Sequence, residues 1–279
     1  MGDWLHHVVW GGIVQSLMQL IFIAGPFFLL GFLLHNLEGT VQSRLSRRFG
    51  WKSVLWTGWL GTPIHELSHA LFCVLFRHRI NEIALFRPDP SLGRLGYVNH
   101  LYDPRSRYQV VGNFFIGTAP FLGGALALYG LLWLFDPQTA RRALSGEGLA
   151  SALAGGNLIA AGRALWDQTF GVLSGVVTLS HLGSLPFWLF LYLVLCVGSH
   201  VAPSGADYRG AREGGVLLLA ALILFNILSL AFGGRPGAVT AAMSTVLGPA
   251  LALFVLCAIL CLLTTGLVLL LTDVMMNPS

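Results

Sequence analysis

Apolar residues in this chain gather into long runs separated by short polar stretches, with little alternation of helical or strand period inside a run. Residues 8–34 form the first run, longer than the about 20 residues that cover the hydrocarbon core of a bilayer, and a polar, basic stretch follows at 35–52. A second run, 53–76, has spanning length yet contains His65, Glu66 and His69. Between 77 and 109 the pattern changes: strand-like segments at 80–86 and 95–100 flank Pro88, Asp89, Pro90 and Gly93, which predicts a β-hairpin. Beyond it come a third run at 110–135 and an Ala-, Gly- and Ser-rich section at 136–184, with short amphipathic helices expected inside 139–167. A fourth run at 185–201, a polar loop at 202–214, a fifth run at 215–232 and a sixth at 239–271, interrupted by Gly248 and Pro249, complete the chain. The pattern predicts an all-α polytopic membrane protein of about six transmembrane helices, with a small β-hairpin between the second and third.

Composition agrees with a lipid-solvated chain and excludes an ordinary soluble enzyme. Of 279 residues, 55% are hydrophobic and only 10% charged, with a mean hydropathy of +0.74, where average soluble usage is about 25% charged. The net charge of +4 rests on Arg residues and the single Lys52, which lie outside the strongest apolar runs or at their ends. They read as headgroup anchors; no basic stretch is interleaved with stacking aromatics, so nucleic acid is not an expected partner. Cys73, Cys196, Cys257 and Cys261 all lie in apolar segments and read as small buried hydrophobes, not a disulfide framework. The first residues lack a basic n-region and precede an apolar stretch too long for a signal peptide. Basic residues divide evenly between the two sides, so charge does not set the orientation. No internal repeat is visible, which argues against an inverted-repeat transporter.

His65-Glu66-Leu67-Ser68-His69 is an H-E-x-x-H motif. On a helix, residues four apart are separated by about 40° in azimuth, so both imidazoles address one point, as two zinc ligands must. Glu66, about 100° round from His65, reaches a water at that point without being a ligand. An ionisable side chain inside a span costs about 2.5–3.5 kcal/mol on insertion scales, and a divalent cation is the partner that offsets three such groups together. Pro63, preceded by Gly61 and Thr62, either starts a helix or kinks one.

A catalytic zinc needs a third protein ligand, and the candidates are Asp207, His200, Glu147, His181, His100 and His78. Following the chain across the bilayer puts the loop after the fourth run beside the hairpin. Asp207 is therefore the leading candidate and His200 the runner-up, while Glu147 and His181 fall on the far side. Asp207 also suits a helix N-terminus, where the dipole favours a carboxylate. His78 and His100 lie in the wet hairpin region.

These residues resemble the site-2 protease family of intramembrane zinc metalloproteases. The resemblance covers residues 57–210 and is carried by the H-E-x-x-H in an apolar span, the following hairpin, an apolar helix with Ala119-Pro120 and nearby glycines, and the later Asp207 loop. In the family the third ligand stands in an Asn-Pro-x-Asp-Gly or Leu-Asp-Gly context, whereas here Pro203, Asp207 and Gly210 are more widely spaced. The family's Gly-Pro-x-x-Asn reads Ala119-Pro120-Phe121-Leu122-Gly123, so Asn113, about two turns earlier, is the remaining candidate to polarise a carbonyl.

The resemblance implies a single integral membrane domain, 1–279, in the bacterial cytoplasmic membrane, with its catalytic core at 53–214 and accessory spans at 8–34, 215–232 and 239–271. It further implies a Zn2+ cofactor held by His65, His69 and Asp207, with Glu66 as the general base that passes a proton to the departing amine. The expected partners are the lipid bilayer and a membrane-protein substrate whose transmembrane helix unwinds and pairs with an edge of the hairpin. A metal or ion transporter using the His/Asp cluster as a transit site is the alternative, and it would not need Glu66.

Overall fold

The computed structural model describes residues 2–21, 25–143 and 157–234, with separate positions within 148–152 and 240–270. The described chain is predominantly helical with one two-stranded antiparallel sheet.

Helix α1 is Gly2–Gln19 and α2 is Gly25–Phe49. The first apolar run, 8–34, thus falls on two described helices, and residues 22–24 between them lie outside the described residues. Pro26 lies in the first turn described for α2, where a missing N–H is tolerated. The polar stretch after the run is helical too, and α2 ends on Arg47 and Arg48, cations at the negative end of its dipole. A single 3-10 turn, Trp51–Val54, leads into α3, Leu55–Leu75, which runs continuously through Pro63.

The hairpin forms as expected from its turn residues, with β1 at Arg79–Ala84 and β2 at Tyr97–Leu101. Ile80 pairs with His100 and Ile83 with Val98, and an irregularity between Ile80 and Glu82 shifts the register. Helix α4, Arg107–Phe135, starts earlier than the apolar run because Ser106 caps it, accepting from the backbone N–H of Gln109.

In the Ala/Gly/Ser-rich section, α5 is Pro137–Ala143 and α6 is Leu158–Val176, which extends beyond the segment expected to be helical. One short turn, α7 at Leu179–Leu182, precedes α8 at Leu185–Gly198. The last fully described helix, α9, is Gly205–Ala231. The boundary placed at 214 thus falls inside one helix, whose start is set by a capping box between Ser204 and Asp207 rather than by the onset of apolar sequence. The sixth run lies mostly outside the described residues.

Helix α4 is central, packing against α3, α8 and α9, while α9 also packs on α1 and α5 on α6. Its inner face meets Leu34, Val194, Val197 and Val201 in the main apolar core. Two described helices, α4 and α9, are long and apolar enough to cross a membrane. Polar site residues lower the apolarity of α3, and their placement is informative. Thr62, Glu66, His69 and Cys73 are buried along one stripe, whereas Leu67, Leu71, Val74 and Leu75, at i, i+4, i+7 and i+8, are exposed on the opposite side. Polar inside and leucine outside is the reverse of a water-solvated helix.

Candidate metal centre

The two motif histidines are oriented from behind. His65 donates from Nδ1 to the carbonyl of His200 at 2.6 Å, and His69 donates from Nδ1 to the carbonyl of Ile116 at 2.7 Å. A carbonyl oxygen only accepts, so each Nδ1 carries a proton, and a ring with no second proton has its lone pair at Nε2. Those two Nε2 atoms face Asp207: His69 Nε2 is 3.3 Å from Oδ1 and His65 Nε2 is 3.6 Å from Oδ2. Asp207 is held there by the start of α9, its Oδ2 accepting from the Ser204 N–H at 2.6 Å.

The potential ligand atoms of His65, His69 and Asp207 all lie within 4.8 Å of one another. Two imidazole nitrogens and a carboxylate converge on one point, and this group could hold a metal ion, with each ring offering the Nε2 lone pair when it carries no proton there. The supporting carbonyls are the orienting contacts that metal-bound histidines ordinarily have.

Glu66 lies beside this group without belonging to it. It is buried to 9% exposure, and its carboxylate accepts no hydrogen bond from a described residue. It borders two adjoining cavities. One, of about 530 Å3, reaches toward His35, Glu38 and Gln42 on α2 and toward His200. The other, of about 430 Å3, contains His65, His69 and Asp207 and is walled by β2 residues from Tyr97 to His100. Gly96, at the approach to β2, makes this fit possible: a Cβ there would sit 2.9 Å from Glu66 Cγ and 2.8 Å from the Ala84 carbonyl oxygen.

Among the other candidates, His200 does not bring its ring to the group. Its backbone carbonyl serves His65, while its Nε2 is 3.5 Å from Glu38 Oε1. His181 is bonded to the Val176 carbonyl at 2.8 Å and packs on Phe135, away from the site. Glu147 lies outside the described residues. Asn113 is buried and lines the cavity that contains the two histidines and Asp207.

His78 and His100 form a pair at the base of the hairpin. His78 donates from Nε2 to the Gln109 carbonyl at 2.9 Å, and its Nδ1 is 3.0 Å from Nδ1 of His100, which lines the same cavity as Asn113. Burial pushes both imidazoles below the usual value of 6.5; for His100 the neighbouring His78 and His69 act in the same direction, against Asp207. Neutral His78 then has its lone pair at Nδ1 and accepts from His100.

The supporting carbonyls of Ile116 and His200 and the contact between Glu38 and His200 have no side-chain signature in the motif. No family model, no curated protein and no solved structure matches the chain.

Proposed function

We propose that this protein is an intramembrane zinc metalloprotease similar to the site-2 protease family, a multi-pass protein of about six spans in the bacterial cytoplasmic membrane. The observation that carries the reading is the convergence of His65 Nε2, His69 Nε2 and the Asp207 carboxylate beside a buried Glu66. The outward leucines of α3 support a lipid environment.

The donor set of two imidazoles and one carboxylate fits zinc with an open position. Zinc bound there would polarise the scissile carbonyl and bring the pKa of a coordinated water toward about 7. Glu66 takes a proton from the attacking water and passes it to the departing amine, which its position on both cavities allows. The amide of Asn113 is the chain's candidate donor to the developing oxyanion. Among the described residues strand β2 pairs only with β1, so a substrate segment unwound from its helix can add to its other edge, along the cavity wall.

The test is metal content and cleavage of a labelled single-span membrane protein by purified wild type and Glu66→Gln in parallel. Zinc should remain in both, while cleavage falls by about 10²- to 10⁴-fold in the variant. Absence of zinc from both would sink the metal centre. Unchanged cleavage would remove Glu66 from the mechanism, and metal transport that survives Glu66→Gln would favour the transporter.

A further inference from the structure

Orientation of His69 depends on one backbone carbonyl, and that carbonyl is released by a proline. In an uninterrupted α-helix, the carbonyl of residue i accepts from the N–H of residue i+4. For Ile116 the donor would be residue 120, which is proline. Proline has no N–H, and its ring crowds the carbonyl four residues back. Helix α4 nevertheless continues through Pro120. Ile116 is 3% exposed and Pro120 is fully buried. An unpaired carbonyl at this depth is costly. What meets it is Nδ1 of His69, at 2.7 Å.

The support of His65 has the same origin. The His200 carbonyl lies just beyond the end of α8, at Gly198, so it is outside that helix's hydrogen-bond ladder. Four residues on, the Ser204 N–H is occupied by Asp207 Oδ2 at 2.6 Å. Both histidines are thus oriented by carbonyls that helix geometry has set free.

We infer that Pro120 is a positioning residue of the metal centre: by withholding an N–H from the Ile116 carbonyl it reserves that oxygen for His69, which holds the ring as the Nδ1–H tautomer with its Nε2 lone pair toward Asp207. The inference rests on the reading of this group as a metal site. A proline serving only to shape α4 would act through its ring, so the two roles separate chemically.

The experiment compares the full-length wild type, Pro120→Ala, and a variant with lactic acid at position 120, introduced by nonsense suppression. Alanine restores the N–H; lactic acid has the same methyl side chain but an ester oxygen in its place. Zinc affinity is read by chelator competition in detergent micelles, and the His69 tautomer by 15N shifts of histidine-labelled, zinc-free protein. Pro120→Ala should weaken zinc about 10- to 100-fold and mix the tautomers, while the ester variant stays within about threefold of wild type and keeps Nδ1–H. Equal behaviour of the two variants, whether both weak or both like wild type, overturns the inference. If Pro120→Ala does not fold, weak zinc binding by the ester variant overturns it alone. Wild type that binds no zinc defeats the metal-site reading instead, and the tautomers of zinc-free protein still decide the role of Pro120.

Discussion

Asp207 is placed for two tasks with one carboxylate. Its Oδ2 accepts from the Ser204 N–H, its own N–H donates to Ser204 Oγ at 3.3 Å, and the same group faces both motif histidines. Charge matters for holding a cation, whereas capping needs only an acceptor, so two substitutions separate the tasks. Asp207→Asn retains the capping oxygen and loses the charge; Asp207→Ala loses both. Both variants should purify with little zinc. In the zinc-free state only Asp207→Ala should show weaker α9, by about 1 kcal/mol in denaturant unfolding. An Asn variant with a full complement of zinc would remove Asp207 from the ligand set.

At the scale of elements, the hairpin is fastened to the body by His78 and His100, and this fastening should depend on pH. Burial depresses both imidazoles below 6.5, with His78 and His69 adding to the effect on His100 and Asp207 opposing it. A detached hairpin takes up protons more readily than a docked one, so docking is fully favoured above 6.5 and weakens as pH falls below it. Amide protection at Ile83 and Val98, corrected for intrinsic exchange, should therefore drop on acidification, and His78→Gln with His100→Gln should flatten the dependence. Protection that rises or stays level in the wild type would refute this anchoring. The hairpin itself was legible in the sequence because Pro88, Asp89, Pro90 and Gly93 separate two strand-like segments, and the convergence of His65 and His69 was legible because i, i+4 spacing on a helix sets side-chain direction. Asp207 followed from which loop the chain returns to the hairpin. Less was readable where a polar stretch is helical: residues after Leu34 continue α2, and Ser204 to Asp207 begins α9, although its Ser-x-x-Asp spacing is itself a capping signal. The carbonyls behind the histidines belong to the backbone, which has no residue-specific sign; only Pro120 betrays one of them.

At the scale of the whole molecule, many bulky apolar side chains face outward around an apolar core that also buries polar groups such as Glu66, His69 and Asn226. Helix α9 buries only 11% of its apolar window, against 50% for the central α4, and on α3 the outward leucines oppose a stripe containing Glu66 and His69. Water makes such a surface prone to association, whereas hydrocarbon solvates it at no cost. Exposure alone does not distinguish the two solvents, but a charge does. Leu71 on α3 and Leu92 in the hairpin loop are 64% and 62% exposed. In a water-solvated protein, aspartate at either position would change stability by about 0.5 kcal/mol or less. In a bilayer the two positions differ: Leu71→Asp puts a carboxylate against acyl chains at about 2.5–3.5 kcal/mol, while Leu92→Asp stays in water. Leu71→Asp should therefore lower the fraction of protein that resists alkaline extraction from membranes and reduce its thermal midpoint in micelles, with Leu92→Asp matching wild type in both. Equal tolerance at the two positions would mean that the outer face of α3 meets water, and the site would then have to be understood as that of a protein associated with the membrane differently, since α3 is the helix that supplies both histidines and Glu66.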